Sequence, residues 1–304
     1  MYHHSAMKYI SVTEAAKRWG ITDRRVRILC NEGRIDGAIR LGWSWTIPDD
    51  TEKPRDGRVL RRFKNLDIRP GSVDVALLDN LKESFPLDDS LKESEGYRAL
   101  IKTSLEALLS YSEIQFNEEN INALYSGSVV ESMPLDMHFL LSNFRSIMIS
   151  LISQKEKWCE KDIKEIHVRL MQGIDDTSSA LYRDGNIKYP LKEGEDVKVD
   201  VQMETLFSQY ESSWKDLNGV VSGVLLFGEL LRIEPFEDYS TIFSYLILSG
   251  ELLRKGFLPP CIYADSINEL KAAFSLALKR GNYQDFTSFI ERGVIKSYKE
   301  LYNV

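Results

Sequence analysis

The sequence predicts a mainly α-helical protein in which a small N-terminal helix-turn-helix unit with a β-hairpin wing precedes a larger helical domain with one short hairpin. Apolar residues recur at spacings of three and four after about residue 70, which is typical of amphipathic helices. The N-terminal part instead combines two short capped helices with two β-prone segments. Residues 1–65 contain 14 basic and 8 acidic residues, a net charge of +6, whereas the remainder has a net charge of −13. The pattern and the charge change together, which favours two domains.

The composition is that of a folded protein with more than one core. A length of 304 residues favours two domains, and 43% apolar with 28% charged residues excludes general disorder. The cysteines Cys30, Cys159 and Cys261 are far apart and share no metal-ligand spacing, so neither a disulfide framework nor zinc is implied. No apolar stretch is long enough to span a bilayer and no signal-peptide pattern is present. We therefore expect a cytoplasmic protein with no membrane partner.

The first element of the N-terminal unit is a helix that begins with a capping box, in which Ser11 is the N-cap and Glu14 stands three residues later. Gly20 ends this helix, and Thr22 can cap a second one over 23–31. Two β-prone segments, 38–41 and 44–47, then flank Gly42-Trp43 and predict a hairpin wing. A polar run from Asp49 completes a domain over residues 1–58.

Basic residues cluster on and around the second helix. In a helix-turn-helix the start of the second helix enters the DNA major groove, where arginine suits bidentate contact with guanine. Basic residues nearby can hold flanking phosphates. The candidate DNA-binding residues are Lys17, Arg18, Arg24, Arg25, Arg27, Arg34 and Arg40.

Residues 9–48 resemble the winged helix-turn-helix domains of the excisionase and MerR type. The resemblance rests on the runs Arg25-Val26-Arg27-Ile28-Leu29-Cys30, Glu32-Gly33-Arg34-Ile35 and Ser44-Trp45-Thr46-Ile47-Pro48. It implies a DNA duplex as partner. The alternative is a module of this type that serves as a protein contact.

Helical periodicity dominates the rest of the chain, with a linker and connecting helix over 59–96 and the main domain over 97–304. The predicted helices are 73–83, 97–111, 139–154, 163–174, 201–214, 220–233, 240–255, 267–280 and 284–301. One stretch differs, because Asp184-Gly185-Asn186 reads as a turn between the strand-prone residues of 181–189. It predicts a small hairpin.

The two most apolar predicted helices flank an elbow, Glu234-Pro235-Phe236-Glu237-Asp238-Tyr239, which is followed by Ser240, Thr241, Ile242 and, three residues on, Tyr245. This elbow resembles, in altered form, the signature His-Pro-Phe-x-Asp/Glu-Gly-Asn-Gly-Arg of the Fic family, which has a second arginine three residues later. Enzymes of that family usually transfer AMP from ATP to a protein hydroxyl.

The sequences around the elbow carry the resemblance further. They include Ile163-Lys164-Glu165-Ile166-His167, Ala180-Leu181-Tyr182-Arg183 at the start of the family's flap, Leu252-Leu253-Arg254-Lys255-Gly256-Phe257-Leu258-Pro259-Pro260, and Gly281-Asn282-Tyr283. Residues 125–135, centred on Val130-Glu131-Ser132, resemble the family's inhibitory helix, which makes Glu131 a candidate regulatory residue. The resemblance covers nearly all of residues 97–292.

The resemblance also implies what the altered elbow has lost. Glu234 stands in place of the histidine that acts as general base, and a carboxylate with an ordinary pKa of about 4.3 is a poor base for an alcohol. Tyr239, Ser240 and Thr241 occupy the positions of the glycine-containing phosphate cradle, beside Phe236, which shapes the elbow. Ile242 and Tyr245 replace the two arginines that would bind phosphate.

Two further side chains have structural interpretations. Asp238 keeps the family's metal-binding acid, although such a residue also suits a helix N-terminus without any metal. His167 lies between Ile166 and Val168 on a predicted helix and is expected to be a structural histidine.

We therefore expect a DNA-binding or regulatory protein whose Fic-like domain is not catalytic and acts as a scaffold or sensor. This interpretation expects no cofactor. One alternative is a residual transferase that uses Glu234 and Asp238 with ATP and Mg²⁺. Another is a protein-protein adaptor. A homodimer is plausible because single winged modules bind DNA weakly.

Overall fold

The computed structural model of the chain describes residues 8–31, 35, 37–41, 44–49, 51, 68–125, 128, 130–131, 133–175, 181–190 and 196–304. The chain divides into two compact units, Met1–Arg61 and Arg62–Val304. The predicted Arg34 and the wing residues Gly42-Trp43 lie outside the described residues.

The first unit contains a three-stranded antiparallel sheet and two helices. The elements are β1 (Tyr9–Ser11), α1 (Val12–Trp19), α2 (Asp23–Asn31), β2 (Ile39–Leu41) and β3 (Ser44–Pro48), with sheet order β1-β3-β2. Both predicted helices and both predicted strands are present. Strand β1 was not predicted, because its three residues show too little alternation to be recognised, and it pairs with β3 in the register Ile10 opposite Ile47.

The helix ends of this unit follow from their sequences. The capping box of α1 is confirmed, since Ser11 Oγ accepts a hydrogen bond from the Glu14 amide and the Glu14 side chain accepts one from the Ser11 amide. Gly20 ends α1 in the left-handed conformation (φ 62°). Thr22 Oγ1 accepts from the Arg25 amide at 3.3 Å and so caps α2.

The second unit is mainly helical, and its described residues add two isolated β-bridges, Arg69 with Asn282 and Asn186 with Lys198. Its helices are α3 (Val75–Ser84), α4 (Glu95–Tyr111), α5 (Glu118–Tyr125), α6 (Leu135–Leu151), α7 (Glu160–Met171), α8 (Val199–Glu211), α9 (Gly219–Ile233), α10 (Ser240–Arg254), α11 (Ile267–Arg280) and α12 (Gln284–Tyr302), with short 3-10 helices at Asp89–Glu93 and Ala264–Ser266. All nine predicted helices are present. Helix α5 was not predicted.

Helices α9 and α10 form the centre of this unit. Every residue of α9 and all of Ser240–Leu253 in α10 are buried, and the two helices pack against each other. Helices α4, α6 and α7 pack against α10, and α8 and α12 against α9. Gly250 of α10 also lets Trp158, which precedes α7, pack closely, because a Cβ at Gly250 would lie 2.2 Å from Cζ2 of Trp158. The predicted central helix pair is thus the core of the domain.

Two predictions about local structure were wrong. Within residues 181–190 no strand forms at the Asp184–Asn186 turn. Instead Ile187 N donates to Val197 O at 2.8 Å and Val199 N to Gly185 O at 3.2 Å, so the segment pairs with residues further along the chain. Glu131, predicted within a helix, is an exposed turn residue between the end of α5 and the start of α6 at Leu135. Pro134 precedes that helix and favours its start there.

Among the helices in the described ranges, none combines the length and apolar character needed to cross a membrane.

Candidate functional site

The predicted elbow lies between two residues in the left-handed backbone conformation. Glu234 ends α9 with φ 51° and ψ 68°, and Tyr239 precedes α10 with φ 52° and ψ 28°. This region favours glycine, and for other residues it costs about 1–2 kcal/mol. Tyr239 therefore adopts the conformation for which a glycine at the first cradle position would be suited, while carrying a large side chain.

The segment from Arg183 to Tyr189 crosses the elbow. The Arg183 amide donates to Pro235 O at 2.9 Å, and its guanidinium donates through Nε to Glu234 O at 2.6 Å and through Nη2 to Ile233 O at 3.2 Å. The Tyr189 amide donates to the Arg232 carbonyl at 3.1 Å. These bonds satisfy the last two carbonyls of α9, which have no partner within the helix, and the first two carbonyls of the elbow. The elbow is therefore fixed to the neighbouring segment.

Glu234 forms an ion pair with the same segment. Lys188 Nζ lies 2.7 Å from Glu234 Oε1, with 45% and 24% of the two side chains exposed. Partial burial opposes the charge on Lys188, but the hydrogen bond and the attraction from Glu234 outweigh it and raise the pKa of Lys188. The carboxylate that stands where the family has its base is thus held by an ammonium group.

A buried ion pair supports the elbow from within α9. Glu229 and Arg232 are each 1% exposed, and Arg232 Nε lies 3.0 Å from both Glu229 oxygens. Tyr283 Oη donates to Glu229 at 2.8 Å, and Arg232 Nη1 donates to the Tyr189 carbonyl at 3.4 Å. Arg232 therefore connects the core of the domain to the segment that holds Glu234.

A cleft of about 670 Å³ opens beside the elbow, and we call it the elbow cleft. Its lining includes two lysines, four carboxylates and several aromatic rings, and the residues are Tyr111, Ser112, Glu113, Ile114, Lys188, Tyr189, Glu234, Glu237, Asp238, Tyr239, Ser240, Thr241, Lys271, Phe274, Ser275 and Leu278. Lysines and carboxylates together give the lining a formal charge of −2. Tyr239 is half-buried in this lining and leaves the cleft open.

The cleft disfavours negative charge. Burial, together with repulsion from Asp238 and Asp136, raises the pKa of Tyr239. Burial and the nearby Tyr189 and Glu234 raise the pKa of Tyr111 to about 12. Both phenols are harder to ionise than in water, mainly because they are partly buried and in smaller part because carboxylates lie nearby.

Two side chains in the first two turns of α10 face the core. Ile242 and Tyr245 are 0% exposed, and Tyr245 Oη donates to Pro260 O at 2.8 Å. Ser240 Oγ donates to Phe236 O at 2.9 Å. The two residues at the positions of the family's arginines therefore pack inside the domain and do not reach the cleft.

Phe236 and His167 form an aromatic stack under the elbow. Phe236 is buried, and its ring lies 3.7 Å from the His167 ring at an interplanar angle of 6°. Phe243 meets both rings edge-on. His167 is buried in this stack and lies outside the lining of the elbow cleft.

The basic residues of the first unit are mostly on its surface. Lys17, Arg18, Arg24, Arg27 and Arg40 are exposed, and Arg25 is half-buried. The guanidinium of Arg18 bonds the carbonyl and the carboxylate of Asp49, the latter at 2.7 Å, and Arg27 lies 3.8 Å from Asp23. Two of the predicted phosphate or base contacts thus already have acidic neighbours, whereas Arg24 projects from the first turn of α2.

Several solved structures have a fold similar to that of this chain. A Fic-1 fragment (residues 134–508) from C. elegans superposes with a TM-score of 0.61 at 16% identity, over 75% of this chain and 70% of that one. A Fic domain containing signaling protein from Bacteroides thetaiotaomicron gives 0.59 at 14% identity, over 76% and 98% of the two chains. A Fic family protein from Desulfovibrio desulfuricans gives 0.54 at 17% identity, with 77% of each chain covered. No protein-family model and no curated protein matches the chain.

The chain therefore has a Fic-like fold, as its sequence predicted. A protein of this fold would hold Mg²⁺ and a nucleotide at the elbow, and the residues present do not fit that pair. Asp238 is exposed, and no group of three His, Cys, Asp or Glu side chains in the described part of the chain could hold a metal ion. The described residues that line the cleft include no arginine, and each of the two lysines among them has a carboxylate within 4.0 Å.

Sequence reasoning missed the residues that hold the elbow. Arg183 was noted only as the start of the flap, and Lys188, Lys271 and Tyr111 were not singled out. They lie 46, 37 and 123 positions from Glu234, and no local pattern links them to it. The only feature of the sequence that could have pointed to Lys188 is its position next to the predicted turn at Asp184-Gly185-Asn186.

Proposed function

We propose that the chain is a DNA-binding regulatory protein whose Fic-like domain does not transfer nucleotides and serves as a scaffold or sensor through the elbow cleft. The observation that carries this proposal is the burial of Ile242 and Tyr245, both 0% exposed, where a phosphate-binding enzyme of this fold would present arginines. A triphosphate entering the cleft would find no cation free of a carboxylate to hold it among the described residues.

The state of Glu234 supports the same conclusion. A general base must present a lone pair to the hydroxyl that it deprotonates, within about 2.6–3.2 Å. Oε1 of Glu234 instead accepts from Lys188 Nζ at 2.7 Å, and the backbone carbonyl of Glu234 accepts from Arg183. One carboxylate oxygen of Glu234 and its main-chain carbonyl are therefore both bonded to the crossing segment.

Exposed positive charge on the first unit supports DNA as a partner. Arg24, at the start of α2, and Lys17, near the end of α1, are exposed and can reach a polyanion. Neutralising each phosphate with such a residue releases counterions, so affinity falls steeply with salt.

Nucleotide binding and transfer test the first part. Calorimetry with ATP and Mg²⁺ should give no binding heat, and incubation with labelled ATP and a lysate should give no labelled protein. Clear label transfer that disappears in Glu234→Ala would refute the proposal.

The DNA part needs its own test. Fluorescence anisotropy with a labelled random duplex at several salt concentrations should show binding that weakens as salt rises. No measurable affinity for any duplex at low salt would remove DNA from the proposal.

A second candidate is a residual transferase, and the open cleft of about 670 Å³ beside Glu234 and Asp238 favours it. Its cleft would have to accept a different nucleotide or phospho-compound. Label transfer that depends on both Glu234 and Asp238 would support it.

A further inference from the structure

The elbow cleft has two carboxylates that form no ion pair with any cation in the part of the chain that the structure describes. Lys188 pairs with Glu234 at 2.7 Å and Lys271 with Glu113 at 3.5 Å. Among the described residues, no basic nitrogen lies within 4.0 Å of the other two lining carboxylates, Glu237 and Asp238. Both are exposed at the elbow, so a ligand from solvent can approach them.

The aromatic walls of the cleft already hold ammonium groups. Lys271 Nζ lies 5.2 Å from the centre of the Tyr111 ring, and Lys188 Nζ lies 5.5 Å from the centre of the Tyr189 ring. A cation within about 6 Å of a ring face is attracted by its quadrupole. Two other rings of the lining, Tyr239 and Phe274, have no such cation among the described contacts.

The field at Tyr239 has the same sign. Burial is the largest cause of the raised pKa of Tyr239, and repulsion from Asp238 and Asp136 adds to it. Burial disfavours a charge of either sign, whereas the two carboxylates favour a cation at this point. The cleft, its aromatic rings and the nearby carboxylates therefore all suit a positively charged ligand.

We propose that the elbow cleft binds a basic segment of a partner protein, placing a lysine or arginine side chain against Glu237, Asp238 and the ring of Tyr239. This deepens the proposed function and rests on it, since ATP seated in the cleft would occupy the same space. A protein segment fits because the carboxylates lie at the exposed rim while the rings line the cleft, so one chain can contact both.

The test uses the full chain and fluorescein-labelled nonapeptides of glycine and serine. One peptide carries two arginines, one carries two lysines, and a matched one carries two citrullines, which keep the shape of arginine without its charge. The anisotropy titration is repeated with the variant Glu237→Gln/Asp238→Asn. The control variant Glu211→Gln/Asp216→Asn removes two exposed carboxylates that are not in the lining of the cleft.

An exposed ion pair contributes a factor of about 1.5 to 5 in affinity, so the Glu237/Asp238 variant should bind the basic peptides about 2- to 25-fold more weakly. The control variant should bind them as the natural chain does, and the citrulline peptide should bind much more weakly than the arginine peptide. Rising salt should weaken the interaction.

Three results would overturn the inference. The first is that the citrulline and arginine peptides bind with equal affinity. The second is that the control variant weakens peptide binding as much as the Glu237/Asp238 variant does. The third is that spermidine or Mg²⁺ binds while neither basic peptide does. Parallel calorimetry with ATP and Mg²⁺ separates the two proposals. If ATP binds in the cleft, the proposed function is refuted. If neither ATP nor the basic peptides bind, only this inference is refuted.

Discussion

Removing Glu229 should destabilise the larger unit more than any single change at its surface. The substitution Glu229→Ala removes the carboxylate that the Arg232 guanidinium, 1% exposed, contacts at 2.5 Å. It also removes the acceptor for the Tyr283 hydroxyl, which lies 2.8 Å away. Breaking a buried pair by removing one partner costs about 3–5 kcal/mol, because the remaining charge stays desolvated.

Calorimetric unfolding would measure this effect. For a domain of roughly this size each kcal/mol lowers the Tm by about 2–4 °C, so the transition of the larger unit should fall by about 6–20 °C. The transition of the N-terminal unit should not move. Tyr283→Phe removes a single hydrogen bond to a charged group and should cost about 1.5–3 kcal/mol.

The matched control replaces both charges. Glu229→Leu/Arg232→Met leaves no buried charge, so it should recover the part of the loss that comes from charge, since apolar replacement of a buried pair is often neutral or better. The loss of the acceptor for the Tyr283 hydroxyl remains in this variant. A loss below about 1 kcal/mol in Glu229→Ala would show that the guanidinium finds water or another partner. A double variant as unstable as the single one would show that packing, not charge, sets the cost.

Three further outcomes are expected. Gly250→Ala should lower the stability of the larger unit by about 1–3 kcal/mol in urea unfolding, because its Cβ would overlap the ring of Trp158; no change would mean that the ring moves freely. Glu234→Gln should lower the pKa of Lys188, measured by NMR of its side chain, since burial then acts without the ion pair. Because the folded-state pKa of Lys188 is raised, its contribution to stability is complete below the ordinary lysine pKa and is lost as pH rises through the folded value. Arg24→Ala should weaken binding to every duplex tested if Arg24 contacts phosphate, lowering the slope of log affinity against log salt by about 0.9; weakening confined to one sequence would instead indicate a base contact.

The elements that sequence predicted well are those set by local chemistry. The capping box of Ser11 and Glu14 fixes the start of α1 within four residues of chain, and the left-handed Gly20 fixes its end. The helices of the larger unit follow from apolar spacing along one segment at a time. The reasoning was incomplete for helix α9. Its apolar sequence predicted that the helix is buried, but not the ion pair between Glu229 and Arg232 within it.

The errors came from contacts between distant residues. Asp184-Gly185-Asn186 is a good local turn signal, yet Ile187 pairs with Val197 and the Lys188 and Tyr189 amides face the end of α9. The carbonyls at that helix end need donors, and this segment supplies them. No spacing within residues 181–189 could reveal that demand, since it arises from a helix more than forty residues later.

The changes at the elbow depend on one another. Ile242 and Tyr245, aligned by resemblance with the family's arginines, are 0% exposed, so an arginine at either position would have to leave water or displace the core. Neither position therefore provides a cation for Glu234. Its carboxylate is held instead by Lys188, whose Nζ lies 2.7 Å away. That ion pair in turn joins the crossing segment to the elbow, where Arg183 and Arg232 hold it through main-chain carbonyls. A single reversion such as Glu234→His would break the Lys188 contact without restoring a phosphate clamp. The residues that differ from the family's signature thus take part in the packing and ion pairing of the elbow, which is why we propose that the cleft is a binding surface and that no single substitution would give it transferase activity.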